Sequence, residues 1–357
     1  MFPELDAEAW LTGRPEAALH DLSSAALRDD ADDEPSERPA ALAGVSEPAA
    51  GVSVETILAT EYGVHPEQVV LTAGGNAAAF VAFAAALEAS EESGVLSETP
   101  GDKSLAATPA ALGADVSRFE RPAPSYGLDN LQDSIDESTA VVAISNRHDP
   151  SGRLVAAEGL RDAAARARDA DARLLVAEDC APLSDDGDAL GGVTAAGMEN
   201  TIITGSRERL PGLASLEVGW VVTDPALADA ARRVQRHLGS VAGPSRAYAL
   251  RALYGGDALT ERAAAICREN SAQLAAGVAA RDDVTCRVFE DAPVAALDVA
   301  GYSGDEVAGA AWEDGVLVVP GRHYGAPETV RVGLGRSPER VRAGLDALDE
   351  VLDGLND

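Results

Sequence analysis

Apolar and polar positions along this chain fall into blocks rather than alternating residue by residue. Short runs rich in Val, Ile and Leu, bounded by turn residues, predict buried strands over 68–72, 139–145 and 173–182 and from Thr201 onward. A further strand starts within Leu216-Glu-Val-Gly-Trp220, and 294–299, 316–319 and 330–334 read the same way. Between them lie segments with helical spacing: 52–62, a run from Gly74-Gly75 to about Leu87, 155–170, 225–237 and 245–279. The last is expected to be one long helix. The chain closes with a helix in which Ser337 is the N-cap and Pro338 occupies the first turn. Its Val341, Leu345, Leu348, Val351 and Leu355 share one face. Alternation of strands and helices predicts an α/β architecture.

Two stretches interrupt this pattern. Residues 27–46 are rich in Asp, Glu, Pro and Ala and read as a solvated loop. Residues 88–99 read as an acidic, Ser-rich insertion ahead of Pro100-Gly-Asp-Lys103. By contrast, Thr72-Ala-Gly-Gly-Asn76 joins a strand to a helix through glycines, which aims backbone N–H groups at whatever sits over the helix start. Such a turn suits a phosphate.

The 357 residues carry 60 acidic against 28 basic side chains, a net charge of -32. A field of that sign argues against nucleic acid or an anionic membrane as partner. Abundant acid beside scarce lysine resembles proteins of salt-loving organisms, where concentrated salt screens self-repulsion. Cys180, Cys267 and Cys286 lack metal-ligand spacing, so no metal site is expected. No leader-like or membrane-spanning apolar run is present in the sequence, and a cytoplasmic location is expected. Lys103 is the only lysine of the chain.

The segment Thr201-Ile-Ile-Thr-Gly-Ser-Arg-Glu-Arg-Leu-Pro-Gly-Leu-Ala-Ser-Leu-Glu-Val-Gly-Trp220 resembles the signature of fold-type-I pyridoxal-phosphate (PLP) aminotransferases. That family reads Ser-x-Ser-Lys, a Gly/Ala-rich turn, then Leu-Arg-x-Gly-Tyr/Trp. Counting back from Gly219, Arg209 stands at the Schiff-base lysine, Glu217 at a phosphate-binding arginine, and Ser206 is retained. Asn146-Arg-His-Asp-Pro-Ser-Gly152 is similar to the family's Asn-Pro-x-Asn-Pro-Thr-Gly, with Asp149 at the asparagine that bonds the pyridine 3'-oxygen. Asp179, or Glu178 in the alternative register, matches the aspartate on the pyridine nitrogen, and no tyrosine follows it. Gly74, Gly75 and Asn76 match the phosphate cup, and Arg331 matches the arginine for the substrate α-carboxylate. Asp179 and Arg209 are 30 residues apart, as in the histidinol-phosphate aminotransferase and threonine-phosphate decarboxylase branch. The stacking aromatic is missing from 106–112, with Tyr126 or Phe119 as substitutes.

The resemblance implies a large domain with a mostly parallel seven-stranded sheet and a small C-terminal α/β domain. The boundaries expected are an acidic arm over 1–50, the large domain over 51–240, and a bridging helix with the small domain over 241–357. It also implies PLP as cofactor, an amino-acid-like ligand and a homodimer. Lys103 is expected on the surface, away from the cofactor, and His148 on the surface of its turn. An arginine stays charged and cannot form an aldimine. The altered cup therefore predicts a non-catalytic or regulatory homologue. The alternative is a transferase that holds PLP or pyridoxamine phosphate and acts on an amino acid or its phosphate. A third reading, a cleft reused by Cys180 with His148, has nucleophile-and-base material behind it.

Overall fold

The computed structural model describes residues 3–26, 39, 42–178, 193–206, 213, 216–255 and 257–356. Helix α1 (Asp6–Leu11) and the short strand β1 (His20–Asp21) precede the large α/β unit. That unit runs α2 (Val54–Tyr62), β2 (Val69–Thr72), α3 (Gly75–Glu88), β3 (Gly94–Thr99), α4 (Ser104–Ala111), β4 (Asp115–Glu120), α5 (Leu131–Ser134) and β5 (Thr139–Ser145). It continues with α6 (Ala157–Asp169), β6 (Arg173–Ala177), β7 (Thr201–Ser206), β8 (Gly219–Val222) and α7 (Pro225–Gln235). Helices α8 (Gly243–Tyr254) and α9 (Asp257–Ala279) follow. The C-terminal unit contains β9 (Val284–Thr285), β10 (Val294–Val299), α10 (Gly304–Glu313), β11 (Val316–Leu317), β12 (Val319–Pro320), β13 (Thr329–Gly333) and α11 (Pro338–Asn356).

The central sheet has seven strands in the order β2-β8-β7-β6-β5-β3-β4. Only β8 runs against the rest, pairing antiparallel with both β2 and β7. Every residue of β5 is buried, which is why its apolar run is continuous. Successive residues nevertheless serve opposite faces. Val142 and Ile144 join Leu58 and Leu160 in one cluster, whereas Val141 and Ala143 join Val81 and Leu227 in the other.

Local chemistry sets several helix ends. Ser53 caps α2 by accepting from Thr56 N at 3.2 Å, and Gly63 ends it in the left-handed region. Asp224 caps α7 ahead of Pro225. The expected single helix over 245–279 is two helices. Gly255 interrupts it, and a Cβ there would stand 2.4 Å from Val45 Cγ1.

The expectation of an insertion over 88–99 is wrong. Residues 94–99 form β3, which pairs in parallel with both β4 and β5. Polar Ser97, Glu98 and Thr99 disguised it, yet Ser97 and Glu98 are fully buried. Pro100-Gly101-Asp102 consequently follows a strand that is paired on both sides. Residues 106–111, within the stretch that lacks the stacking aromatic, belong to α4.

In the C-terminal unit a four-stranded sheet, β12-β13-β10-β9, packs against α10 and α11. The face predicted for α11 is in its core: Val341, Leu348 and Val351 are buried, with Leu345 and Leu355 against them. Leu22 from the N-terminal segment enters the same core, and β1 pairs in parallel with β11.

Candidate functional site

Parallel strands of one sheet end on one side, so the C-terminal ends of β2, β3, β5, β6 and β7 lie together there. After β2, Thr72 Oγ1 donates to Gly74 O at 3.0 Å, and Gly74 takes φ of 90°, where a side chain is strained. Gly75 opens α3 behind the glycine N-cap Gly74, and Asn76 is exposed. β8 begins directly against this turn: a Cβ on Gly219 would lie 2.4 Å from Gly74 O. Gly219 is also the register partner of buried Ser206. Gly74, Gly75, Ser206 and Gly219 are therefore neighbours, as the motifs implied. Glu217 is exposed, with φ of 48°. Arg209 and Asp179, with Cys180, lie outside the described residues.

The loop after β5 is held from below by a buried ion pair. Arg121 Nη1 is 2.5 Å from Glu98 Oε2, and both side chains are fully buried. Glu98 Oε1 accepts from Ser145 N at 2.9 Å and from the Ser145 hydroxyl. Burial pushes the Glu98 carboxyl up, and Arg121 opposes that shift. Arg121 also donates from Nε and Nη2 to Tyr126 O at 3.0 and 2.8 Å. One residue further, Asn146 Oδ1 accepts from Val155 N at 2.8 Å.

His148 is fully buried, so the expected surface position is incorrect. Its Nε2 is 2.8 Å from Pro100 O, which only accepts, so Nε2 carries the proton. Nδ1 then accepts from the Ser151 hydroxyl at 2.6 Å. Burial, followed by the Arg121 charge, holds this imidazole well below the usual histidine range. Both nitrogens serve the fold. Tyr126 packs its ring on His148 with centroids 5.4 Å apart, and Phe119 is in the core, so neither substitutes for a stacking aromatic in the cleft.

Glu178, at the end of β6, accepts from Thr194 Oγ1 and Ala195 N, both at 3.0 Å. That role is structural.

Asp149 and Arg331, paired with different roles by the motifs, meet directly. Arg331 Nε and Nη2 donate to the two Asp149 carboxylate oxygens at 2.6 and 2.8 Å, and Nη1 donates to Ser23 O at 2.6 Å. Arg331 is 3% exposed and its guanidinium lies over the Tyr324 ring, 5.2 Å from the centroid. A cleft of about 410 Å³ opens beside this pair, walled also by Asp102, Lys103, His323 and residues of α1. Gly74, Gly75, Asn76, Ser206 and Glu217 are not in its wall.

Lys103 thus lines a cleft whose wall lacks Gly74, Gly75 and Ser206, and its side chain is 32% exposed. Its Nζ is 2.6 Å from Asp6 Oδ2 of α1. Its place follows from β3: a residue just after a parallel strand lands at the site end of the sheet. His323 stacks on Trp10 with centroids 5.5 Å apart, and its Nε2 has no partner among the described residues. Burial, with Arg322 and Lys103 nearby, lowers its pKa. Asp102, Lys103, Asp6 and His323 were missed by sequence reasoning. The one available signal was the Pro-Gly-Asp turn closing residues 94–99.

Among the described residues no group of three or more His, Cys, Asp and Glu side chains is arranged to hold a metal, and no helix is long and apolar enough to cross a membrane. Burial pushes the Cys286 thiol up to about 12, and Cys267 is buried.

The profile of the family described as aminotransferase class I and II matches residues 49–348. Histidinol-phosphate aminotransferase 2 of Pseudomonas fluorescens is 30% identical over 315 residues, covering 85% of this chain and 80% of that protein. Capreomycidine synthase of Streptomyces vinaceus is 26% identical over 303 residues, covering 80% of this chain and 75% of its own. A PLP-dependent aminotransferase of Streptococcus suis shares the fold with a TM-score of 0.85 at 20% identity, covering 100% of this chain and 99% of that one. With a mostly parallel seven-stranded sheet, glycine turns at its site end and a family match spanning most of its length, this chain belongs to the aminotransferase class I and II family.

Proposed function

We propose that this family member does not form a lysine aldimine and that its cleft serves binding, in a non-catalytic or regulatory homologue. The observation that carries the reading is the whereabouts of the one lysine. Lys103 follows β3 and is held by Asp6, while Arg209 stands in sequence at the Schiff-base position. A guanidinium keeps its proton and cannot condense with an aldehyde.

The residues present fit PLP poorly in other respects. Asp149 brings a carboxylate where the family has a neutral amide, and Arg331 already holds both its oxygens. The stacking aromatic expected over 106–112 is absent, and residues 106–111 lie in α4, while Asp102 adds a further carboxylate after β3. Glu217 adds negative charge two residues before Gly219, which packs on the Gly74 turn. The partly buried Asp149 and Asp102 are like charges that each cost on the order of 1–3 kcal/mol against an anionic cofactor, whereas the exposed Glu217 is screened and counts for less.

A second reading has one specific support. The glycine start of α3, with Gly74 and Gly75 packed on Gly219, keeps the form of a phosphate seat. That favours PLP or pyridoxamine phosphate held without a covalent bond, in a transferase acting on an amino acid or amino-acid phosphate. Its relatives' names, histidinol-phosphate aminotransferase among them, point the same way. We also infer a homodimer from the family resemblance.

The deciding experiment titrates the purified protein and an Arg209→Lys variant with PLP and with pyridoxamine phosphate, followed by visible absorbance. The proposal expects no aldimine band from the wild type. PLP-dependent transamination by the wild-type protein would overturn it, and binding without an aldimine band would move the conclusion to the second reading.

A further inference from the structure

We propose that the cleft selects an amine ligand without a free carboxylate, because Asp149 acts as a built-in carboxylate on Arg331. The inference rests on the reading that this cleft binds a ligand in place of aldimine chemistry. Asp149 takes the Nε and Nη2 edge of the guanidinium with both oxygens, and Ser23 O takes Nη1. The Asp149 side chain is 14% exposed and that of Arg331 3%, so the pair forms one neutral wall of the cleft. A ligand carboxylate arriving here brings a second negative charge to a guanidinium already neutralised at contact distance. Asp149 would then face it as a like charge.

The remainder of the wall favours a cation. Asp6 neutralises Lys103, and Asp21 is bound by Arg336 at 2.6 Å. Asp102 and Glu16, also in the wall, make no salt bridge among the described residues, although the Arg118 charge acts on Asp102. A cleft of about 410 Å³ takes a small organic amine.

The test is calorimetric titration of the full chain, without added cofactor and at one fixed salt concentration. The probes are 1,4-diaminobutane and succinate, which match in length and differ in charge sign. The wild type is expected to bind the diamine at least about tenfold more tightly than succinate. Asp149→Asn should shift that ratio by about tenfold toward succinate, since it leaves Arg331 a net cation. If that variant does not fold, the double variant Asp149→Asn with Arg331→Gln removes both charges and should keep the wild-type preference. Equal binding of the two probes, absence of diamine binding, or a foldable Asp149→Asn with an unchanged ratio overturns the proposal. An aldimine band in the separate PLP titration would overturn the reading beneath it without altering this ratio.

Discussion

Arg121 and Glu98 form a salt bridge at 2.5 Å with neither side chain reaching solvent. Arg121 follows β4 and Glu98 is next to the last residue of β3, and through Ser145 the pair carries the loop that presents Asp149. Removing one partner leaves an uncompensated buried charge. Arg121→Met is expected to cost roughly 3–5 kcal/mol, and the double variant with Glu98→Gln to recover a large part of that. Urea unfolding of the four proteins in this cycle measures it, and additive losses would contradict a direct pairing.

His148 predicts acid sensitivity. Its folded pKa lies well below the ordinary histidine value of 6.5, because burial and Arg121 oppose its charge. The unfolded chain therefore takes up a proton that the folded chain refuses. Stability from this group is present above about pH 6.5 and is lost as pH falls below that, by at most ~1.4 kcal/mol per pH unit. Thermal unfolding between pH 7 and pH 5 should show this slope in the wild type, and His148→Gln should flatten it.

The contact of Gly219 with Gly74 O predicts that Gly219→Ala separates β8 from the β2–α3 turn, since a Cβ would intrude to 2.4 Å. A loss of about 1–3 kcal/mol is expected. A variant as stable as the wild type in denaturant would show that the turn yields freely.

The Lys103–Asp6 bridge holds α1 over the cleft, but its side chains are 32% and 42% exposed. Asp6→Asn is expected to cost less than about 1 kcal/mol, and less still at high salt. Hydrogen exchange of α1 is the sensitive readout: protection over Asp6–Leu11 should fall while protection of β5 stays unchanged.

Much of this protein was legible in its sequence because the physics involved is local. Continuous apolar runs announced β5, β6 and β7, since strands buried on both faces need no alternation. Gly74 and Gly219 marked the turn after β2, and the spacing from Val341 to Leu355 marked α11. The order of those motifs was sufficient for the family. What the tertiary structure alone decided depends on partners far along the chain. β3 was hidden because Glu98 reads as a surface residue until Arg121 and Ser145 enclose it. The place of Lys103 followed from that strand, because a residue after a parallel strand is carried to the site end of the sheet. His148 was taken for a turn surface until Pro100 and Ser151 closed over it. Arg331 and Asp149, separated by 182 positions, carry no mutual signal in sequence, and only the packing of the C-terminal unit on the β5 loop brings their charges within 2.6 Å.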